Sequence, residues 1–248
     1  HRILGVVSSD AMVQSWCRER QLVLSAQDGT VLEVLRRQPF DYLFSIDNFA
    51  LLPKEVLSTP GKMGINFHDG PLPRYAGSNA TNWALIDGEM SHGVSWHVMT
   101  DKADAGDILQ QEIFPIAKNE TAITLNAKCF EASIQSFSVL VDLLAQGKAD
   151  PEPQDLSRQT FCPLWKRPYA AAVIDWDQPA ENIYNLYRGL EFNNYPNPLG
   201  LPKLYLGNTT VAVRKIDILD TPAQVEPGTV LRVTDTSLEV STATNVLT

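Results

Sequence analysis

The sequence predicts an α/β fold, with a parallel or mixed sheet flanked by helices, followed by a smaller β-rich domain. The first half alternates strand-like and helix-like segments, a pattern typical of such sheets. Residues 149–160 begin with a proline-containing, acidic stretch that has the composition of a linker. Short β-like runs separated by turns fill residues 161–248 and favour a small β barrel. We therefore expect a larger domain over residues 1–148 and a smaller second domain over residues 161–248.

Hydrophobic periodicity and capping residues predict the elements of the first half. The predicted strands cover residues 3–8, 41–46, 62–68, 92–99 and 108–116. The predicted helices cover residues 11–20, residues 28–37 with Asp28 as the N-cap, residues 79–87 and residues 121–146.

In the second half, an acidic cap and an early proline predict a helix that begins within residues 175–180. Strands are predicted over residues 203–206, 209–218, 229–233 and 238–241, with a hairpin turn at Gly207-Asn208. No strand is predicted after residue 241, so the barrel is expected to be incomplete.

Composition narrows the class of protein. The 248 residues include no run of about 18 apolar residues, which argues against a membrane span. The three cysteines, Cys17, Cys129 and Cys162, are far apart and lack metal-ligand spacing, so we expect buried thiols in a cytoplasmic protein and no metal. The net charge is −9 without a basic cluster, which argues against nucleic acid as a partner.

Asn66, His68 and Asp104 are the candidate catalytic residues. Asn66 and His68 are two apart and share one face of a predicted strand, which the following Gly-Pro-Leu-Pro ends. Asp104 lies in a glycine-containing loop before the next strand, where a carboxylate could orient a histidine. Amide, imidazole and carboxylate together suit acyl transfer to an amine. The alternative to a catalytic role is a structural one: Asn66 and His68 would be polar residues that end a strand, and Asp104 would lie in an ordinary turn.

The run from Ile65 to Ala80 (INFHDGPLPRYAGSNA), with Gly93-Val94-Ser95 and Ala103–Leu109 after it, resembles the folate-dependent formyltransferases. The resemblance implies a Rossmann-like catalytic domain, in which relatives begin with a strand that is expected to be missing here, followed by an OB-like β-barrel domain. It also implies that Asn66, His68 and Asp104 transfer a formyl group from 10-formyltetrahydrofolate to a primary amine. The pterin is then expected to contact two loops, through Ser45, Ile46, Asp47, Asn48, Phe49, Leu51, Ala103 and Gly106. For the apolar run Phe49-Ala50-Leu51-Leu52, core packing is an equal alternative.

The resemblance leaves several acceptors open. The run from His68 to Gly77 is most similar to formylation domains of nonribosomal peptide synthetases. That similarity implies an aminoacyl group on the phosphopantetheine of a peptidyl carrier protein, and fusion to an adenylation domain. Nucleotide-linked amino sugars, methionyl-tRNA and glycinamide ribonucleotide are the acceptors in other relatives. Hydrolysis of the donor and a non-catalytic folate-binding module are further alternatives.

Other polar and aromatic residues are given structural roles. His92 and His97 are expected at edge or surface positions, because a metal site needs a third ligand at suitable spacing. Trp83, Trp165 and Trp176 are expected in the core.

Overall fold

A computed structural model describes residues 1–25 and 31–248, and its first part alternates strands and helices as predicted. In chain order the elements are β1 (Val6–Val7), α1 (Ala11–Glu19), β2 (Leu24–Ser25), α2 (Val31–Arg36), β3 (Tyr42–Ser45), α3 (Lys54–Leu57), β4 (Met63–His68), β5 (Ala76–Gly77), α4 (Ala80–Ile86), β6 (Ser91–Val98), β7 (Ile108–Pro115) and α5 (Ala122–Gln146). Asp28, the predicted N-cap of α2, lies outside the described residues.

Short strands around one longer helix make up the rest of the chain. After a turn at Leu156–Arg158, the elements are β8 (Phe161–Cys162), a turn at Tyr169–Ala172, α6 (Ala180–Leu190), β9 (Lys203–Leu206), β10 (Thr209–Ala212), β11 (Ile218–Pro222), β12 (Val230–Val233), β13 (Leu238–Ser241) and β14 (Asn245–Leu247). The predicted acidic cap of α6 is wrong: Pro179 is the N-cap and makes no side-chain capping bond, and the Ala180 N–H donates to the Thr244 hydroxyl instead. Asp175 instead accepts hydrogen bonds from Asp177 and Gln178 in its own turn.

Strands β3, β4, β6 and β7 form a four-stranded sheet in that order. Strand β3 is parallel to β4, and β4 is antiparallel to β6, so the sheet is mixed. The register places Ser45 opposite Asn66 across β3 and β4. It places Asn66 opposite His97, and His68 opposite Ser95, across β4 and β6. Polar side chains of three neighbouring strands therefore lie beside one another at the carboxyl ends of β3 and β4.

The chain divides into two compact units. The first comprises His1–His68, Ser95–Gln111 and Gln135–Ser157, and the second comprises Asp69–Val94, Glu112–Ile134 and Arg158–Thr248. The division into domains at residues 1–148 and 161–248 stays a prediction.

An aromatic core supports the sheet in the first unit. Ile65 is completely buried there together with Leu140 of α5. Trp96 packs against Phe137 with ring centroids 5.1 Å apart, and its indole N–H donates to a serine hydroxyl of α5. Buried aromatic rings contribute large apolar areas, and pairing the indole N–H removes the penalty of burying it. The strand that carries Asn66 and His68 is thus held from its opposite face.

In the second unit, α4 packs closely on α6. A Cβ added at Gly189 would lie 2.6 Å from a side-chain carbon of Ile86, so the close approach of the helices requires glycine. The Asn82 amide donates to the Gly189 carbonyl at 2.7 Å. Trp83 and Leu190 are buried in the adjoining core, which confirms the prediction for Trp83.

The C-terminal strands form an open antiparallel sheet with the order β11-β14-β13-β12, and β9 pairs with β10 as a separate hairpin. Among the described residues these strands do not close on themselves, so an OB-like barrel is not confirmed. Strand β14, which was not predicted, lies between β11 and β13 with Val246 and Leu247 buried. Three residues are too few for a periodicity to indicate a strand.

Candidate functional site

Two polar side chains occupy the carboxyl end of β4. Asn66 and His68 project from the same face of the strand, as predicted. Ile65 and Phe67 alternate with them and pack in the aromatic core of the first unit. Strand alternation alone therefore explains why this amide and this imidazole share a face.

Asp104 lies in the loop between β6 and β7, where its carboxylate approaches His68. Its backbone is left-handed, with φ of 50°, which is uncommon for a residue with a Cβ. Carboxylate atom Oδ2 lies 3.7 Å from Nδ1 of His68, an ion-pair distance that is too long for a hydrogen bond. Asp104 and His68 are mostly buried, with side chains 13% and 5% exposed. The structure thus brings the predicted carboxylate to the predicted imidazole.

His97 is the member of the site that the sequence analysis missed. It was expected at an edge or surface position, but it is only 2% exposed. Its Nε2 lies 3.3 Å from Oδ1 of Asp104 and 3.2 Å from the amide nitrogen of Asn66. His97 thereby contacts both Asn66 and Asp104, two of the predicted catalytic residues. The cross-strand pairing of Asn66 with His97 was the missing information, because register is not readable from one strand alone.

The contacts of His97 restrict where its hydrogen resides. Nδ1 lies 3.0 Å from the carbonyl oxygen of Val98, which can only accept, so Nδ1 carries a hydrogen. In the neutral ring, Nε2 then accepts from the Asn66 amide, which also donates to the Phe67 carbonyl at 2.9 Å. In the imidazolium form, Nε2 instead donates to Asp104. The amide and the carboxylate therefore compete for one nitrogen, and a proton on His97 decides between them.

Gly106 allows the Asp104 loop to lie against β6. A Cβ at this position would lie 1.9 Å from the carbonyl oxygen of Val98, a separation that real contacts do not show. The glycine is therefore required by the close approach of two backbones, which a pattern of Asp-Ala-Gly does not reveal.

The residues predicted to contact folate fall on two loops of the first unit. Ser45 is buried and pairs with Asn66, whereas the side chain of Asn48 bonds to Ala50 and shapes the turn. Phe49 is 86% exposed, so core packing is wrong for it, as it is for the exposed Leu51; Ile46 is exposed as well. The remaining predicted contacts are Asp47, at a φ of 53° in the first loop, and Ala103 and Gly106 in the Asp104 loop.

Comparison with known families decides the identity of this fold. A family model described as formyl transferase matches residues 12–141, and another described as formyl transferase, C-terminal domain, matches residues 168–248. The chain belongs to the formyl transferase family. The resemblance to the formyltransferases and the Rossmann-like α/β class of the first part are thereby confirmed, whereas the particular similarity to formylation domains of nonribosomal peptide synthetases stays a prediction.

Solved structures share the fold of this formyl transferase at low sequence identity. An N-formyltransferase from Helicobacter canadensis, in complex with folinic acid and dTDP-3-aminofucose, has a TM-score of 0.76 at 16% identity, with 98% of this chain and 84% of that chain covered. HypX from Aquifex aeolicus, in complex with tetrahydrofolic acid, has a TM-score of 0.68 at 17% identity. The match covers 99% of this chain but only 43% of HypX. A 4-N formyltransferase from Francisella tularensis has a TM-score of 0.69 at 19% identity, with 85% of each chain covered.

Charged and polar groups of the second unit form a separate network in this formyl transferase. Arg74 pairs with Glu89, and the hydrogen bond from Arg74 lowers the pKa of the Glu89 carboxyl. Burial, followed by the nearby Asp87 charge, raises the pKa of the Tyr75 phenol well above its usual range. His92, expected near the surface, is completely buried, with Nε2 2.8 Å from the Asp69 carbonyl. These groups stabilise the segment after β4.

The remaining predictions from composition can be compared with the structure. All three cysteines are buried, as predicted, and burial raises the pKa of the Cys129 thiol. Trp165 is exposed, so its predicted place in the core is wrong, whereas Trp176 packs beside a buried cluster. Within residues 1–25 and 31–248, no His, Cys, Asp and Glu side chains group in a way that could hold a metal ion. No helix of the described part is long and apolar enough to span a membrane.

Proposed function

We propose that this chain transfers a formyl group from 10-formyltetrahydrofolate to a primary amine, with Asn66, His68 and Asp104 at the reacting centre. One observation carries the proposal: in a member of the formyl transferase family, an amide, an imidazole and a carboxylate converge at the carboxyl end of a central strand. Open α/β sheets bind their ligands at such strand ends.

Formyl transfer breaks the bond between the formyl carbon and the donor nitrogen and forms a bond to the acceptor amine. The amine loses a proton and the donor nitrogen gains one. His68 is the group that accepts the amine proton, and Asp104 stabilises the resulting imidazolium across the 3.7 Å separation. These roles require a neutral amine and a neutral His68 at the start of the reaction.

Asn66 is the group that donates to the formyl oxygen as negative charge develops there. Its amide nitrogen already contacts Phe67 and His97, so one bond has to be exchanged. The contact with His97, at 3.2 Å, is the longer of the two. A proton on His97 would make its Nε2 a donor to Asp104, and the Asn66 amide would be released. One oriented donor of this kind contributes about 3 kcal/mol to transition-state stabilisation.

The residues of the first unit fit a folate donor, which supplies the formyl group. Ile46, Phe49 and Leu51 expose apolar side chains directly after β3, the strand that pairs with β4 beside Asn66. Exposed apolar groups next to a polar strand end suit the flat, apolar face of a pterin. The complexes of the Helicobacter canadensis and Aquifex aeolicus proteins with folates support the same donor.

For the acceptor, we propose the amine of a nucleotide-linked amino sugar. The support comes from the Helicobacter canadensis N-formyltransferase, which matches nearly the whole chain and was solved with such a compound. An aminoacyl group on a peptidyl carrier protein, within a chain that also holds an adenylation domain, is the second candidate. It is favoured by the His68–Gly77 motif. A net charge of −9 without a basic cluster also suits a slender arm, which needs few phosphate contacts, better than it suits tRNA.

In the experiment, the protein and 10-formyltetrahydrofolate are incubated in parallel reactions with dTDP-amino sugars, with aminoacyl-carrier protein and with methionyl-tRNA. Products are identified by mass spectrometry, and formate is measured in each reaction and without any amine. We expect a formyl group on the sugar amine, formed at least about 100-fold more slowly by Asp104→Ala, which is used as the matched control. Formylation of the carrier-bound amino acid alone would promote the second candidate. Formate as the only product, with every amine unmodified, would overturn formyl transfer in favour of hydrolysis.

A further inference from the structure

Gln154 reaches the loop that carries Asp104 from a segment predicted to be a linker. Its side-chain nitrogen Nε2 donates to the carbonyl oxygen of Asp104 at 3.0 Å and to that of Gly106 at 2.5 Å. All three residues belong to the first unit. One amide group therefore bridges two carbonyls of the loop.

The orientation of the Gln154 amide is fixed by these two contacts. A carbonyl oxygen can only accept, so both loop carbonyls require the NH₂ end of the amide. The other end, Oε1, is buried and has no hydrogen-bond partner among the described residues. A flipped amide would direct Oε1 at two carbonyl oxygens and lose both hydrogen bonds. The side chain thus acts at this position as a double donor.

The backbone around Gln154 is held in register with the start of β7. Ile108 and Glu152 exchange two backbone hydrogen bonds, each 2.8 Å long. Gln154 follows this pair by two residues, and Asp104 and Gly106 precede it on the other side. The Gln154 side chain therefore bridges the segment after Glu152 and the Asp104 loop. The backbone pair of Ile108 and Glu152 holds these two segments together independently of that side chain.

Asp104 needs such support because its backbone is left-handed. A residue with a Cβ leaves that conformation unless its surroundings hold it there. Rotation of the Asp104 backbone would swing its carboxylate away from both His68 and His97, which contact its two oxygens. The loop geometry and the site geometry are therefore coupled through one residue.

We propose that Gln154 is a positioning residue for Asp104: its two N–H groups hold the loop in the conformation that aims the carboxylate at His68 and His97. The inference rests on the proposed function for its catalytic consequence, but the placement of Asp104 can be measured without any substrate. It adds to the site a residue that touches none of the reacting groups.

The kinetic test replaces Gln154 by methionine, which keeps the length of the side chain and removes both donors. We expect kcat to fall about 10- to 100-fold while KM for the acceptor changes less than about 3-fold, since misplacement of a catalytic group affects chemistry more than binding. Gln14→Met is the matched control, because the Gln14 amide also donates to a backbone carbonyl of the first unit, that of Ser8. It should retain kcat.

A double-mutant cycle distinguishes positioning from general support of the fold. If Gln154 acts through Asp104, the variant Asp104→Ala with Gln154→Met should be no slower than Asp104→Ala alone. Independent factors that multiply in the double variant would overturn the proposal, as would full kcat in Gln154→Met. Gln154→Asn, which keeps the amide but shortens its reach, gives the same test should the methionine variant not fold.

The second readout is the ¹⁵N NMR spectrum of the imidazoles in the free protein. The chain has four histidines, so the resonances of His97 are assignable by substitution. We expect Gln154→Met to move the His97 signals toward those of Asp104→Ala, and Gln14→Met to leave them in place. His97 signals unchanged by Gln154→Met but moved by Asp104→Ala would overturn the positioning role. Absence of transfer to any amine in the native chain would instead refute the proposed function alone.

Discussion

Replacing Gly106 by alanine tests how tightly the Asp104 loop must lie against β6. The added Cβ would lie 1.9 Å from the Val98 carbonyl oxygen, and real Cβ contacts essentially never fall under 3.0 Å, so the backbone must move by about 1.1 Å. A misplacement of about 1 Å lowers catalysis by about 100-fold, because the reacting geometry is lost. Forcing an extra methyl group into this contact also destabilises the fold by about 1–3 kcal/mol.

The assay measures kcat for formyl transfer at saturating folate, together with urea unfolding followed by circular dichroism. Gly61→Ala is the matched control: its Cβ would meet the Phe40 carbonyl at 3.4 Å, an ordinary contact in the same unit. We expect Gly61→Ala to keep kcat and Gly106→Ala to lose about 100-fold while still folded. A folded Gly106→Ala with the kcat of the native chain would show that the position of the loop does not control the chemistry.

Three further outcomes follow from the contacts of individual side chains. His97→Phe keeps a ring but removes the nitrogen that contacts both Asp104 and Asn66, so both groups lose their support and kcat should fall about 10- to 100-fold; an unchanged kcat would place His97 outside the site. Because Arg74 lowers the pKa of Glu89, the pair stabilises the fold above the pKa of an unfolded glutamate and loses this effect as the pH falls through the lower folded value. In urea unfolding, the free energies of unfolding of the native chain and of Arg74→Met should therefore converge at acidic pH. A difference between them that stays constant from neutral to acidic pH would contradict this. Phe49→Ser should weaken binding of 5-formyltetrahydrofolate by calorimetry without lowering the melting temperature, since its ring is exposed; equal affinity would remove Phe49 from the folate site.

The sequence was sufficient for features that depend on local pattern. The alternation around Ile65 and Phe67 predicts that Asn66 and His68 share a face, and the structure has them so. The proline-containing segment after His68 marks the end of β4 correctly. Strands β9 and β13 have the predicted bounds, because the Gly207-Asn208 turn and the flanking polar residues limit them.

Features that depend on pairing between distant segments could not be predicted in this way. His97 looks like an edge residue until the register of β6 against β4 is known. Gln154 lies in a stretch with linker composition, and only folding brings it to the carbonyls of Asp104 and Gly106. Strand β14 is defined by its two neighbours rather than by its own three residues.

The most direct test of the central proposal is the single-turnover rate of formyl transfer in variants of the three predicted residues. With the acceptor identified by mass spectrometry, Asn66→Ala, His68→Ala and Asp104→Ala should each lower the rate by at least about 100-fold while melting cooperatively. Because the three groups serve one oxyanion and one proton, the variant lacking both His68 and Asp104 should be far faster than the product of the single effects predicts. A folded His68→Ala that transfers formyl at the rate of the native chain would contradict the proposed mechanism.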